Sequence, residues 1–148
     1  TSELYYLNTG VPHAVLEVKD IFSYPINQVG KEIMHHPAFG PKGTNVTFFQ
    51  RLIGKRIRAT TFERGVEAET MACGTGVAAA AIVFAEVYHQ ALPIDVVVPG
   101  GELTVDLSPV SSMILLQGPT EYVFTVEMDN IQNNFEKSFL FSENKRGR

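Results

Sequence analysis

The chain has 148 residues, 45% of them hydrophobic and 19% charged, with one cysteine and a formal net charge of −4. That length suits one domain that buries about two-thirds of the surface its unfolded form exposes, so a core can form without covalent staples. The balance speaks against a nucleic-acid partner, which needs clustered lysine and arginine, and no apolar run approaches the roughly 20 residues that span a bilayer. A single cysteine makes no internal disulfide, so the expectation is a soluble, cytoplasmic protein with no signal peptide and no membrane partner.

Alternating apolar residues and β-branching predict strands at Leu4 to Leu7 and Ala14 to Val18. Thr1 is not a methionine and the first strand is already under way, so an upstream segment is expected. Asn27 to His35 carries Val29, Ile33 and Met34 at helical spacing and stops before Pro37, which predicts a short helix closed by His35 and His36. Those histidines point in different directions and have no carboxylate or cysteine at ligand spacing, so they complement the helix's negative end rather than bind a metal.

The Gly- and Pro-rich loop from Pro37 delivers Asn45 to the mouth of a strand, a place where loop residues often meet ligands. Strands follow at Val46 to Leu52 and Lys55 to Phe62, with Lys55, Arg56 and Arg58 read as a solvated sheet edge. A polar loop from Glu63 to Met71 precedes a helix from Gly74 to about Gln90, a rod of about 25 Å. Its surface is apolar nearly all round, from Val77 to Val87 with Glu86 the first charge, so it should be enclosed by protein. Ile94 to Val98 and Glu102 to Leu107 form a hairpin around Pro99-Gly-Gly, and Met113 to Gln117 and Tyr122 to Glu127 continue the meander. The tail from 142 to 148 reads as frayed. These elements indicate an α+β fold: a mixed, mostly antiparallel sheet curled around one central apolar helix, in a single domain over 1–148.

Cys73 sits where the polar loop turns into that helix. A helix start leaves unpaired N–H groups and a partial positive charge, which stabilise a thiolate and can grip a carboxylate. Gly74 and Gly76 expose the backbone and Thr75 adds a hydroxyl, which brings an acid–base role level with that of an inert buried cysteine. Gly74-Thr-Gly-Val-Ala-Ala also fits a dinucleotide-binding pattern, but no strand leads directly into it and Asp95 opens a strand instead of ending one. Ten residues upstream, Glu63-Arg-Gly closes an apolar strand. An arginine holds a carboxylate and a glutamate accepts from an ammonium, and an amino acid carries both groups.

Glu63-Arg-Gly, Thr70-x-Ala-Cys73-Gly-Thr-Gly, Thr44-Asn-Val and Pro12-His13 together resemble the C-terminal half of the diaminopimelate epimerase family, in consistent order from about Leu4 to Leu107. The resemblance implies an isomerase that interconverts LL- and meso-diaminopimelate, on the way to lysine and peptidoglycan, without pyridoxal phosphate, metal or other cofactor. It implies a catalytic Cys73 working against a second cysteine on a missing N-terminal half, so the isolated chain should not turn over. It also implies that Gly74 and Thr75 bind the reacting carboxylate, that Asn45, Glu63 and Arg64 hold the distal amino-acid end, and that His13 and Glu63 tune the thiols. The chain departs from the family pattern at Val11, where asparagine is usual, so weaker or broader recognition is expected unless Asn8 or Thr9 substitutes. Its loop between Glu63 and Cys73 is one residue longer than in many members, with Glu67-Ala-Glu where glycine is common. A racemase for another amino acid and a non-catalytic carboxylate- or phosphate-binding module are the alternatives. The sequence leaves open which stereoisomer Cys73 deprotonates and whether the molecule forms a homodimer.

Overall fold

The computed structural model describes residues 3–111 and 113–125. In chain order these form β1 (Leu4–Asn8), β2 (Pro12–Glu17), α1 (Ile26–Met34), a 3-10 turn (Pro37–Phe39), β3 (Asn45–Arg51) and β4 (Arg56–Glu63). Then come β5 (Ala68–Glu69), α2 (Gly74–Val87), β6 (Ile94–Val98), β7 (Gly101–Leu107) and β8 (Ile114–Gln117). One eight-stranded sheet runs in the order β1-β2-β3-β4-β6-β7-β8, with β5 paired to the far end of β4. Only β2 with β3 and β4 with β6 are parallel, and the other pairs are antiparallel.

Helix α2 touches β1, β2, β3, β4, β6, β7 and β8, which a sheet manages around one rod only by curling. Its sequence explains that position. Val77 to Ala81, Val83 and Phe84 are all buried, and a run of alanines keeps the rod thin enough for strands to approach from several sides. Alternation along the strands divides the remaining apolar residues. Val15, Phe49, Ile57 and Ala59 face α2, whereas Leu16, Val46, Phe48 and Phe62 point outward under α1, with Ile26 and Met34.

The expected α+β class and the curled, mostly antiparallel sheet are therefore present, with differences at element ends. Helix α2 stops at Val87 instead of near Gln90, because Tyr88 caps it and His89 turns to a φ of 51°. Lys55 is exposed in the turn before β4, but Arg56 and Arg58 are not at an edge: β4 lies between β3 and β6, where Arg56 pairs with Glu102 and Arg58 covers the Phe22 ring at 4.7 Å. Tyr122 to Thr125 form no strand, and the rest of that expected strand, like the 142–148 tail, lies outside the described residues. His35 caps α1 and reaches Glu67 at 3.5 Å, while the His36 ring accepts from the Ala38 N–H and so starts the 3-10 turn. Among the described residues no cluster of metal-ligating groups occurs.

Candidate active site

The chemistry-bearing residues gather where α2 begins. Parallel pairing of β2 with β3 sets His13 against Asn45 and Val15 against Thr47, and antiparallel pairing sets Thr47 against Thr61. Because side chains alternate, His13, Asn45, Thr47 and Thr61 all share the face that meets α2. Glu63 falls on that face too, two residues beyond Thr61. Nonpolar partners of the same parity, Val15, Phe49 and Ala59, fill the deeper core, so the polar members form one end of an otherwise apolar surface.

Cys73 occupies the N-cap position of α2 with extended backbone angles, and its side chain makes no capping bond. The helix's first amides thus have no side-chain acceptor in Cys73 and stay available to an anion. The thiol is half-buried and Gly74 is exposed. Thr75 connects this end to the sheet: its hydroxyl lies 3.5 Å from Cys73 Sγ and 2.9 Å from His13 Nε2. The Thr9 hydroxyl donates to the Thr75 carbonyl at 2.8 Å, which pins the first helical turn to the β1–β2 turn.

His13 is fully buried, and burial pushes its pKa down from the usual 6.5 to about 4, so the ring is neutral at physiological pH. Its other nitrogen, Nδ1, lies 2.9 Å from the Thr47 hydroxyl, which in turn lies 3.0 Å from the Thr61 hydroxyl. Gly76 is required beneath this line, because a Cβ there would sit 2.3 Å from Thr61 Oγ1 and 2.9 Å from Thr47 Oγ1. That contact gives the glycine-rich segment a packing reason that owes nothing to nucleotide binding.

The polar loop from Glu63 folds back. Strand β5 pairs with the end of β4, the Thr70 amide donates to the Thr61 carbonyl, and the Gly100 amide donates to the Met71 carbonyl just before Cys73. Asn45, 5% exposed, accepts from the Arg64 backbone N–H at 2.8 Å and donates to the Pro12 carbonyl at 3.3 Å. The Arg64 guanidinium donates to the carbonyls of Lys42 and Gly43 at 3.3 and 3.2 Å. The Glu63 carboxylate has no hydrogen-bond or ion-pair partner among the described residues. Glu67, in the longer loop, adopts a left-handed φ of 54°. Beside Val11, the Asn8 carboxamide oxygen accepts from the Gly10 amide and the Thr9 hydroxyl serves Thr75, so the turn itself uses both neighbours.

The structure thus places His13, Cys73, Gly74 and Thr75 at this end of α2, Asn45 and Glu63 on the strand face that leads to it, and the Arg64 backbone on Asn45. Sequence reasoning missed Thr47 and Thr61, and named Thr9 only as a stand-in for the asparagine absent at Val11. Thr47 and Thr61 carried a readable signal, since each stands two residues from an expected site residue on a strand of period two.

Space around the thiol is asymmetric. Behind it, the gap lined by Ala59, Thr61, Thr70, Val77 and Val98 is too small for a water molecule. In front, Gly74 and Met71 are exposed. Larger cavities lie elsewhere among the described residues, two of them lined in part by charged side chains. One of about 540 Å³ is bordered by Tyr5, Glu17, Arg51 and Tyr88 at the C-terminal end of α2, and one of about 700 Å³ lies beside α1 and β6. Neither includes Cys73, so the thiol faces an open surface and not a closed pocket.

In solved structures the fold recurs in a putative phenazine biosynthesis PhzC/PhzF protein from Clostridium difficile (strain 630). The TM-score is 0.55 with 21% identity, over 74% of this chain and 41% of that one. A PhzF-family phenazine biosynthesis protein of Bacillus anthracis gives 0.53 with 12% identity, over 76% and 38%. At such identities the likeness concerns fold alone. Sequence relatives are nearer: the diaminopimelate epimerase of Aquifex aeolicus (strain VF5) is 42% identical over 121 residues, 80% of this chain and 43% of the relative. That of Methanocella arvoryzae is 41% identical over 127 residues, 86% of this chain and 44% of the relative. The chain thus spans under half the length of these relatives. The family model for diaminopimelate epimerase matches residues 5–123, which takes in the sheet, α2 and the thiol at its start. On that match and those relatives, the chain belongs to the diaminopimelate epimerase family.

Proposed function

We propose that this chain is the C-terminal half of a cofactor-independent epimerase that interconverts LL- and meso-diaminopimelate by proton transfer between two cysteines. The observation that carries the reading is the thiol of Cys73 at the open start of α2, beside exposed Gly74 and bridged by Thr75 to buried, neutral His13. Inverting a stereocentre needs a base on one face of the α-carbon and an acid on the other. Cys73 is one of these, and the other cysteine belongs to a preceding half that meets the open front of this site. The relatives' greater length supports this arrangement, and so does the position of the thiol on a surface instead of in a pocket.

In this reading the substrate carboxylate lies against the amides of Gly74 and Thr75. The charge that develops as the α-proton leaves is delocalised into that carboxylate, so the amides and the helix start stabilise it where it forms. Asn45, Glu63 and Arg64 serve the distal amino-acid end, with Asn45 and the Arg64 backbone held in one geometry by their hydrogen bond. His13 and Glu63 modulate the thiols' acidity. Because the two cysteines exchange protons across one substrate, their titration belongs to the pair. The isolated chain binds little and turns nothing over, and the whole protein acts in the cytoplasm on lysine and peptidoglycan precursors.

The test is α-deuterium uptake into LL-diaminopimelate in D2O, followed by NMR, with the complete polypeptide that contains this chain. Exchange by the parent that drops at least about 10²-fold in Cys73→Ala supports the reading. Absence of exchange with diaminopimelate but exchange with another amino acid makes the protein a different racemase. If neither exchanges while a carboxylate ligand binds parent and Cys73→Ala equally, the chain is a binding module.

A further inference from the structure

Two threonines outside the expected site complete a line of polar groups that ends at the thiol. In order they are Thr61, Thr47, His13, Thr75 and Cys73, with successive separations of 3.0, 2.9, 2.9 and 3.5 Å. Thr61, Thr47 and His13 are at most 4% exposed, so their hydrogens find partners inside the protein.

Each hydroxyl has one hydrogen to donate, and a neutral imidazole has one. The line therefore has two self-consistent directions. In the first, Thr61 donates to Thr47, Thr47 donates to His13 Nδ1, the Nε2–H donates to the Thr75 oxygen, and Thr75 donates to the sulfur. Every hydrogen is used. In the reverse, the thiol donates to Thr75, Thr75 to Nε2, Nδ1–H to Thr47 and Thr47 to Thr61. The Thr61 hydrogen then has no acceptor among the described residues, where Thr47 is its one hydrogen-bond partner. A buried hydroxyl hydrogen without an acceptor is costly, which favours the first direction.

We infer that Thr47 and Thr61 are positioning residues that hold the His13 ring with its proton on Nε2, so that Thr75 presents its hydroxyl hydrogen to the Cys73 sulfur. They touch no substrate and act through His13 and Thr75. The consequence for catalysis rests on the reading of Cys73 as an acid–base residue. A thiolate accepts the donated hydrogen directly, and a protonated sulfur still accepts it while its own S–H points to the open front of the site.

The test uses the complete polypeptide with ¹⁵N-labelled histidine, the His13 signals being assigned by their loss in His13→Gln. Side-chain ¹⁵N shifts at neutral pH read the tautomer directly, and α-deuterium exchange is measured beside them. The expected parent carries its proton on Nε2. Thr47→Val gives averaged tautomers and about a tenfold fall in kcat with little change in KM, as for one lost hydrogen bond. Thr47→Ser restores both, and Thr61→Val changes both in the same direction by less. A parent proton on Nδ1, which needs no variant to detect, overturns the inference, as does an Nε2–H tautomer unmoved in both valine variants. If the tautomers behave as expected but the parent exchanges no diaminopimelate, the proposed reaction fails and the positioning of His13 stands.

Discussion

Gly76 lies against the Thr61 hydroxyl so closely that a Cβ on the glycine would sit 2.3 Å from Thr61 Oγ1. The second residue it would strike is Thr47, at 2.9 Å, and the ring of His13 follows at 3.2 Å. One hydrogen atom in place of a methyl group thus lets the first turn of α2 settle onto the polar end of the sheet. Gly76→Ala should push the helix start outward and cost about 1–3 kcal/mol, as overpacking in a closed interior does. Urea denaturation measures the loss, and parent-like stability in the variant would mean that β3 and β4 give way easily.

Burial of His13 predicts a specific pH dependence. Its folded pKa, about 4, lies below the unfolded value of 6.5, so the unfolded chain binds the proton first. Stability from this residue is complete above pH 6.5, falls as pH drops toward 4, and is flat below. The loss is on the order of 3 kcal/mol. Carboxylates titrate in part of the same range, so the comparison is between parent and His13→Gln across pH 7 to 4. The difference between their stabilities should shrink as pH falls, and a constant difference would mean that the imidazole is readily hydrated.

Glu67 holds a left-handed backbone angle that costs a non-glycine residue about 1–2 kcal/mol. Its carboxylate meets His35 at 3.5 Å with both side chains about half exposed, a contact worth little. Glu67→Gly relieves the strain and restores unfolded-chain freedom worth about 0.5–1 kcal/mol, so stability should rise by roughly 0.5 kcal/mol. A fall in thermal midpoint would show that the ion pair outweighs the strain.

Asn45 ties Arg64 to the β2–β3 pair through two hydrogen bonds from a buried carboxamide. Asn45→Ala leaves the Arg64 amide and the Pro12 carbonyl without that partner and should cost about 1–2 kcal/mol in stability. Under the proposed reaction it should also raise KM about tenfold and leave kcat within a few-fold, because the distal end of the substrate is held before the proton moves. A kcat defect with unchanged KM would assign Asn45 to the reacting end instead.

Much of this architecture was legible residue by residue. The uncharged run from Val77 to Ala85 marked α2 as an enclosed helix, because no orientation of it gives water a polar face. The alternation in β2, β3 and β4 marked strands for the same kind of reason. Ends were less legible: Tyr88 closes α2 through its packing beside Phe84, and short-range pattern carries no trace of that. Arg56 and Arg58 resembled an edge because their charge is local information, whereas the neighbours that cover β4 come from residues almost 40 positions later.

The sequence by itself determined the curled α+β class and the helix that starts after Cys73, and its family resemblance singled out His13, Asn45, Glu63, Arg64, Gly74 and Thr75 as the expected set. Those depend on local periodicity and on motifs of a few residues. Only the tertiary structure decided that Thr47 and Thr61 stand behind His13, that Gly76 makes room for them, and that the thiol faces an open surface. The reason is strand register. Which side chains meet across a sheet depends on the pairing of β2, β3 and β4, and that pairing is set by the packing of both sheet faces at once, which no single segment contains.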